Sequence, residues 1–142
     1  NELMANPTPG AYDWIELHNR TGHVINIAGW FLSDDRDAPA KYRIPNGTSI
    51  PAGGYLVLSQ DQHFGNPADP GCSVPFGLSK DGETVYLHGS FADGILIGYC
   101  EKQGFGPSEA GVSLGRWPQE ADSFDFVPLG KPTPGEANVE PL

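Results

Sequence analysis

Methionine and cysteine are scarce in this chain, positive charge is in short supply, and two patterns are missing altogether: a long apolar run and a helical repeat. Among 142 residues there is one methionine, Met4, and two cysteines, Cys72 and Cys100. No apolar run approaches the ~18 residues that cross a bilayer, and no charged-then-apolar leader is seen, so membrane insertion is not expected. Nowhere do apolar residues recur at i, i+3, i+4 and i+7 over eleven residues, so no helix is expected. Lysine and arginine number 8 against 18 aspartates and glutamates, a net charge of -10. Affinity for nucleic acid comes mainly from cationic side chains that displace counterions, and a surface this acidic repels phosphate backbones and anionic lipid. Nucleic acid is therefore excluded as an expected partner. Acidic, lysine-poor chains suit secreted or saline settings.

What the chain does have is punctuation. Its 19 glycines and 14 prolines stand between apolar runs rather than in one tract. The run Ile50-Pro51-Ala52-Gly53-Gly54 pairs a fixed φ with a permissive one, and Tyr55 to Leu58 follows with residues that suit a pleated surface. Four successive apolar residues predict a strand covered on both faces, central in its sheet. Tyr12 to Asn19 alternates, with Ile15 and Leu17 on one face and Trp14, Glu16 and His18 on the other. Further strands are predicted over Val24 to Ile27, Trp30 to Leu32, Tyr42 to Ile44, Thr84 to His88, Ile95 to Cys100, Val112 to Trp117 and Phe124 to Val127, with a short edge strand at Val74 to Phe76. Asn46-Gly47, Lys80-Asp81-Gly82 and Ala92-Asp93-Gly94 supply tight turns. Gln60 to Pro75 and Glu101 to Gly111 read as open loops, and Lys131-Pro132-Thr133-Pro134-Gly135 leads out to a tail with no core to join. About nine strands without helical spacers predict an all-β fold, an antiparallel β-sandwich with Ile15, Leu17, Trp30, Leu32, Leu56, Leu58, Val85, Leu87 and Leu114 in its core.

Several fragments together carry a resemblance: Asn1-Glu2-Leu3-Met4-Ala5-Asn6-Pro7, Trp14-Ile15-Glu16-Leu17-His18-Asn19, Gly29-Trp30-Phe31-Leu32-Ser33-Asp34, Ile50 to Tyr55, Phe76-Gly77-Leu78, Gly111 to Arg116 and Pro132-Thr133-Pro134-Gly135. In this order, over nearly the whole chain, they resemble the lamin tail domain in its bacterial form. The resemblance implies an immunoglobulin-like β-sandwich with no catalytic motif, found as a module of exported or surface proteins. There it often sits beside spore-coat-kinase-like domains, nucleases or phosphoesterases, and the Asp34-Asp35 and Ala40-Lys41-Tyr42 region most resembles copies near the kinase-like partners. In nuclear lamins the same fold meets protein and DNA, but the basic surface for DNA is absent here. The expectation is one domain over residues 1–142, cut from a longer secreted or cell-surface bacterial protein, with protein partners or neighbouring domains and no cofactor.

The candidate sites are few. Gly111-Val112-Ser113-Leu114-Gly115 matches the G-x-S-x-G of serine hydrolases, yet that serine needs a strand-to-helix elbow, and Arg116-Trp117-Pro118 stops any helix. The stretch reads as a strand. Asp34, Asp35 and Asp37, with Asp61 and Asp93 as additions, offer hard oxygen ligands, but the D-x-D-x-D-G spacing and a distal glutamate are missing, so a divalent cation is expected to bind weakly if at all. His18, His23, His63 and His88 form no metal-binding pattern. Asn19-Arg20-Thr21 and Asn46-Gly47-Thr48 fit the N-glycosylation triplet. Trp14, Trp30 and Trp117 with Tyr12, Tyr42 and Tyr55 either stack on sugars or fill the sandwich. A disulfide between Cys72 and Cys100 is expected to pin the loop that lacks apolar anchors; two unpaired, partly buried thiols are the alternative. No acid-base pair or activated nucleophile can be assembled, which leaves a non-catalytic interaction or spacer module, or a calcium- or glycan-binding accessory domain, and no enzyme.

Overall fold

The computed structural model describes residues 1–120 and 123–142. Among the described residues eleven strands follow one another: β1 Glu2–Met4, β2 Trp14–His18, β3 Ile25–Asn26, β4 Phe31–Ser33, β5 Tyr42–Arg43, β6 Ser49–Ile50, β7 Tyr55–Ser59, β8 Glu83–Ser90, β9 Leu96–Phe105, β10 Leu114–Pro118 and β11 Phe124–Pro128. They form an antiparallel five-stranded sheet, β11-β10-β1-β2-β7, a four-stranded sheet, β5-β4-β8-β9, and a two-stranded β3-β6 ribbon. The fold is the expected immunoglobulin-like sandwich. Ile15, Leu32, Leu58, Val85 and Leu114 are buried between the sheets, and Leu17, Trp30, Leu56 and Leu87 pack against them half-buried.

The turn chemistry holds where it was read. Gly53 adopts φ +67° ahead of β7, Gly47 φ +80° between β5 and β6, and Gly94 φ +86° between β8 and β9, conformations that a Cβ disfavours. The place of β7 differs from expectation. It is the outer strand of its sheet, pairing with β2 only, while three-residue β1 lies in the middle. Four apolar residues in a row cannot distinguish a strand buried on both faces from an edge strand covered by its neighbours' side chains. Here Tyr55, Leu56 and Val57 are half-buried and Leu58 is 2% exposed. Leu58→Ala is accordingly expected to cost about 2 to 5 kcal/mol, and Leu56→Ala clearly less, in urea unfolding of the two variants.

Three further readings are corrected. Glu101 to Phe105 continues β9 instead of opening a loop, paired with Glu83 to Leu87. No strand forms at Val74 to Phe76; Cys72 alone makes a bridge, to Tyr42. The Gln60 to Pro75 segment is not wholly outside the core, because Gln60–Phe64 makes one π-helical turn, the only such element among the described residues. That turn drives Phe64 to 0% exposure, stacked on Phe76 at 4.8 Å between ring centroids.

The expected disulfide is also overturned: both cysteines are free. Cys72 bridges to Tyr42, Tyr42 pairs with Leu32, Leu32 with Leu87, and Leu87 with Glu101 beside Cys100. Four interstrand steps of about 4.8 Å put the two thiols roughly 19 Å apart, and a bridge needs Cα atoms within about 7 Å. The loop needs no staple because Phe64 anchors it.

Candidate functional site

Two places gather polar groups. The first lies on the outer face of the five-stranded sheet, where β1 and β2 set Glu2 directly opposite Glu16. Alternation along β2 puts Glu16 on the face of Trp14 and His18, which would be wet if nothing covered it. The C-terminal segment does cover it, and Glu2 and Glu16 are each 1% exposed. The Thr133 backbone N–H donates to Glu2 Oε1 at 2.9 Å and its hydroxyl to Glu2 Oε2 at 2.7 Å. The Gly135 N–H and Asn1 Nδ2 donate to the two oxygens of Glu16. Burial pushes the Glu16 carboxyl above the usual range, opposed by those two donors. Beside this pair, Gly115 leaves room for the tail: a Cβ there would lie 2.6 Å from Leu129 Cδ1 and 2.7 Å from Asn138 Nδ2. Three fragments remote in sequence, Asn1-Glu2-Leu3, Trp14-Ile15-Glu16-Leu17 and Pro132-Thr133-Pro134-Gly135, thus converge on one latch, with all four of its carboxylate oxygens engaged. Its chemistry is structural, since a buried carboxylate so satisfied holds chain rather than substrate.

The second place is a cleft of about 470 Å³ between the sheets. Its apolar lining includes Leu17, Ile25, Trp30, Leu87 and Phe126, with Tyr99 at 5.2 Å from Trp30 between ring centroids and 47% exposed. Arg116 of β10 reaches across the mouth to β9, with an ion pair to Glu101 and a 3.3 Å hydrogen bond from Nε to Gln103 Oε1. Arg116 also lies 4.4 Å over the Phe124 ring, and Arg20 5.4 Å over the same ring. Asn1, His18, Arg20 and Arg116 continue the cleft into a neighbouring depression of about 480 Å³ that reaches Tyr55, Trp117 and Phe124. Two of the chain's four arginines therefore stand at one opening of a strongly acidic protein.

The residues singled out in the sequence do not meet at either place as a catalytic or metal-binding set. Ser113 is 0% exposed just before β10, with a strand after it and no helix. Asp34 is ion-paired to Lys41 at 2.7 Å, Asp35 accepts the Asp37 N–H at 2.8 Å, and Asp93 accepts the Ile95 N–H at 3.0 Å, the work of turns. Among the described residues, no three His, Cys, Asp or Glu side chains come together to hold a metal. His18 stacks on Tyr55 at 4.3 Å, His63 Nδ1 accepts the Ser59 N–H at 3.0 Å, His23 is exposed, and His88 stacks on Tyr86. Asn19 is 3% exposed and its Nδ2 donates to the carbonyls of His23, Ile50 and Pro51, so this triplet is a loop brace rather than a glycan acceptor; Asn46 lies exposed on its turn. The six aromatics do not share one face: Tyr42 is in the core, Trp30 lines the cleft, and Tyr12 is exposed.

The sequence profile of the lamin tail domain family matches residues 1–99. The chain belongs to that family. Neither a curated protein nor a solved structure matches it. The lamin tail domain is an immunoglobulin-like, non-catalytic fold. The matched range ends inside β9, but β10 pairs with β1, β11 with β10, and the tail seals Glu2 and Glu16, so the later residues complete the same sheet.

Proposed function

We propose that this lamin tail domain is a non-catalytic interaction module of an exported or cell-surface multidomain protein, and that its cleft takes an apolar segment of a protein partner or neighbouring domain. The observation that carries this reading is the cleft itself: an apolar cavity of about 470 Å³, lined by the packed Trp30 and Tyr99 rings, with Arg116 and Arg20 at its mouth. Apolar surface of this kind binds by losing its water, and a flanking arginine orients the bound segment through a carboxylate or carbonyl. The acidic, lysine-poor composition supports an exported setting. Selection of a displayed random-peptide library against the 142-residue chain tests it, with Tyr99→Glu as the comparison, since Tyr99 is exposed enough to be changed without unfolding. Enriched peptides that bind the wild type and lose about tenfold or more in affinity for Tyr99→Glu, a change of about 1.4 kcal/mol, support the reading. No enrichment, or peptides indifferent to the substitution, would remove it.

A further inference from the structure

The other sheet carries a separate feature on its outer face. Register sets His88 of β8 directly opposite Cys100 of β9, and Cys100 Sγ lies 3.7 Å from His88 Nε2, within hydrogen-bond reach for sulfur. The same pairing places Arg43, Phe31, His88 and Cys100 in one row across all four strands, with Tyr86 opposite Lys102 in the next row of that face. The strand positions of this face thus bring His88 and Lys102 beside Cys100, while Glu101 turns to the inner face toward Arg116. Cys100 is exposed and sits on the outer strand of its sheet, so an approaching molecule meets no neighbouring strand.

We propose that Cys100 is a thiol-exchange site for anionic disulfides, with His88 as the base that takes its proton. Thiolate is the attacking species, and the base that can take the proton, His88 Nε2, stands within hydrogen-bond reach of the sulfur. In the step, the Cys100 proton passes to His88 Nε2 and Cys100 Sγ attacks one sulfur of the disulfide. A new S–S bond forms as the old one breaks, and the electron pair leaves with the second sulfur as a thiolate. Cys100 is oxidised and the departing sulfur reduced, so no further oxidant is needed. Lys102, two residues along β9 on the same face, attracts the negative charge of the incoming molecule. Cys72 is the built-in contrast: half-buried, its Sγ–H donates to the Phe64 carbonyl at 3.4 Å, and burial pushes its thiol up.

The native protein treated at pH 7 with 5,5′-dithiobis(2-nitrobenzoate), a dianionic disulfide, should release one equivalent of thiolate fast and one slowly. Cys100→Ser should remove the fast phase and Cys72→Ser the slow one. His88→Gln keeps a hydrogen-bonding side chain but no base, and is expected to slow the fast phase about tenfold or more, with the slow phase of Cys72 unchanged as the sign that the fold is intact. Lys102→Gln should slow the reaction with this reagent but not with the uncharged 2,2′-dithiodipyridine. A fast phase indifferent to His88→Gln, or two thiols reacting natively at the rate they share in urea, would overturn the proposal.

Discussion

Glu2→Ala is expected to destabilise the protein by about 3 to 5 kcal/mol and to free the C-terminal segment from the sheet. Glu2 sits in the middle strand of the five-stranded sheet at 1% exposure and receives both the N–H and the hydroxyl of Thr133, which is itself 4% exposed. A hydrogen bond to a charged group contributes about 1.5 to 3 kcal/mol, and removing the acceptor leaves a buried amide with no water to replace it. The tail buries Leu129 at 1% exposure and Asn138 Nδ2 donates to the Arg116 carbonyl at 2.9 Å, while the two carboxylates hold the Thr133 to Gly135 stretch between those anchors. Glu2→Gln should be milder, about 1 kcal/mol, because the Thr133 hydroxyl can turn to accept from the new amide while its N–H keeps the remaining oxygen. Urea unfolding measures the difference, and hydrogen exchange at the Thr133 and Gly135 amides shows whether the tail has left. If Glu2→Ala stays within about 1 kcal/mol of wild type and those amides remain protected, the latch does not hold the tail.

Phe64→Ala is expected to cost about 3 to 5 kcal/mol, as much as any aromatic deletion in the core, although the residue comes from a segment that reads as loop. Phe64 is fully buried and stacks on Phe76. Its carbonyl accepts the Phe76 N–H at 3.0 Å and the Cys72 thiol at 3.4 Å. Removing the ring leaves a cavity under the whole Gln60 to Phe76 excursion, so loop proteolysis should accelerate alongside the loss of stability. Phe64→Leu, which refills part of the volume, should recover about half or more of the cost. A loss below about 1.5 kcal/mol with unchanged proteolysis would mean that the loop is held elsewhere.

Both expectations turn on residues whose burial local pattern does not reveal, for reasons that differ. Glu16 alternates with Ile15 and Leu17, and alternation says only that it lies on the opposite face. Whether that face is wet depends on a segment about 120 residues away, since Gly135 donates to its carboxylate. Phe64 stands alone among polar residues and prolines, and a lone aromatic carries no period; the π-turn that swings it inward is held by the Phe64–Phe76 stack and by the edge contact of His63 with Tyr42. The disulfide expected between Cys72 and Cys100 rests on their number and on a loop poor in apolar residues, but number does not measure distance. The ladder through Tyr42, Leu32 and Leu87 keeps them at opposite edges of a four-stranded sheet.

Strand identity, turn positions and the nine core residues were legible because they depend on near neighbours: period-two alternation, β-branched and aromatic side chains, and glycines where φ must be positive. The family was legible for a related reason, as its fragments are the turn and latch residues themselves, kept in order along the chain. What the tertiary structure alone decided is which strand lies at the centre, which charged residues are buried, and where the sandwich stays open. Those depend on pairings such as β1 with β10 and Glu2 with Thr133. Such pairings join residues more than a hundred positions apart, and the free energy of a contact between them rests on the whole arrangement around it and not on either local sequence.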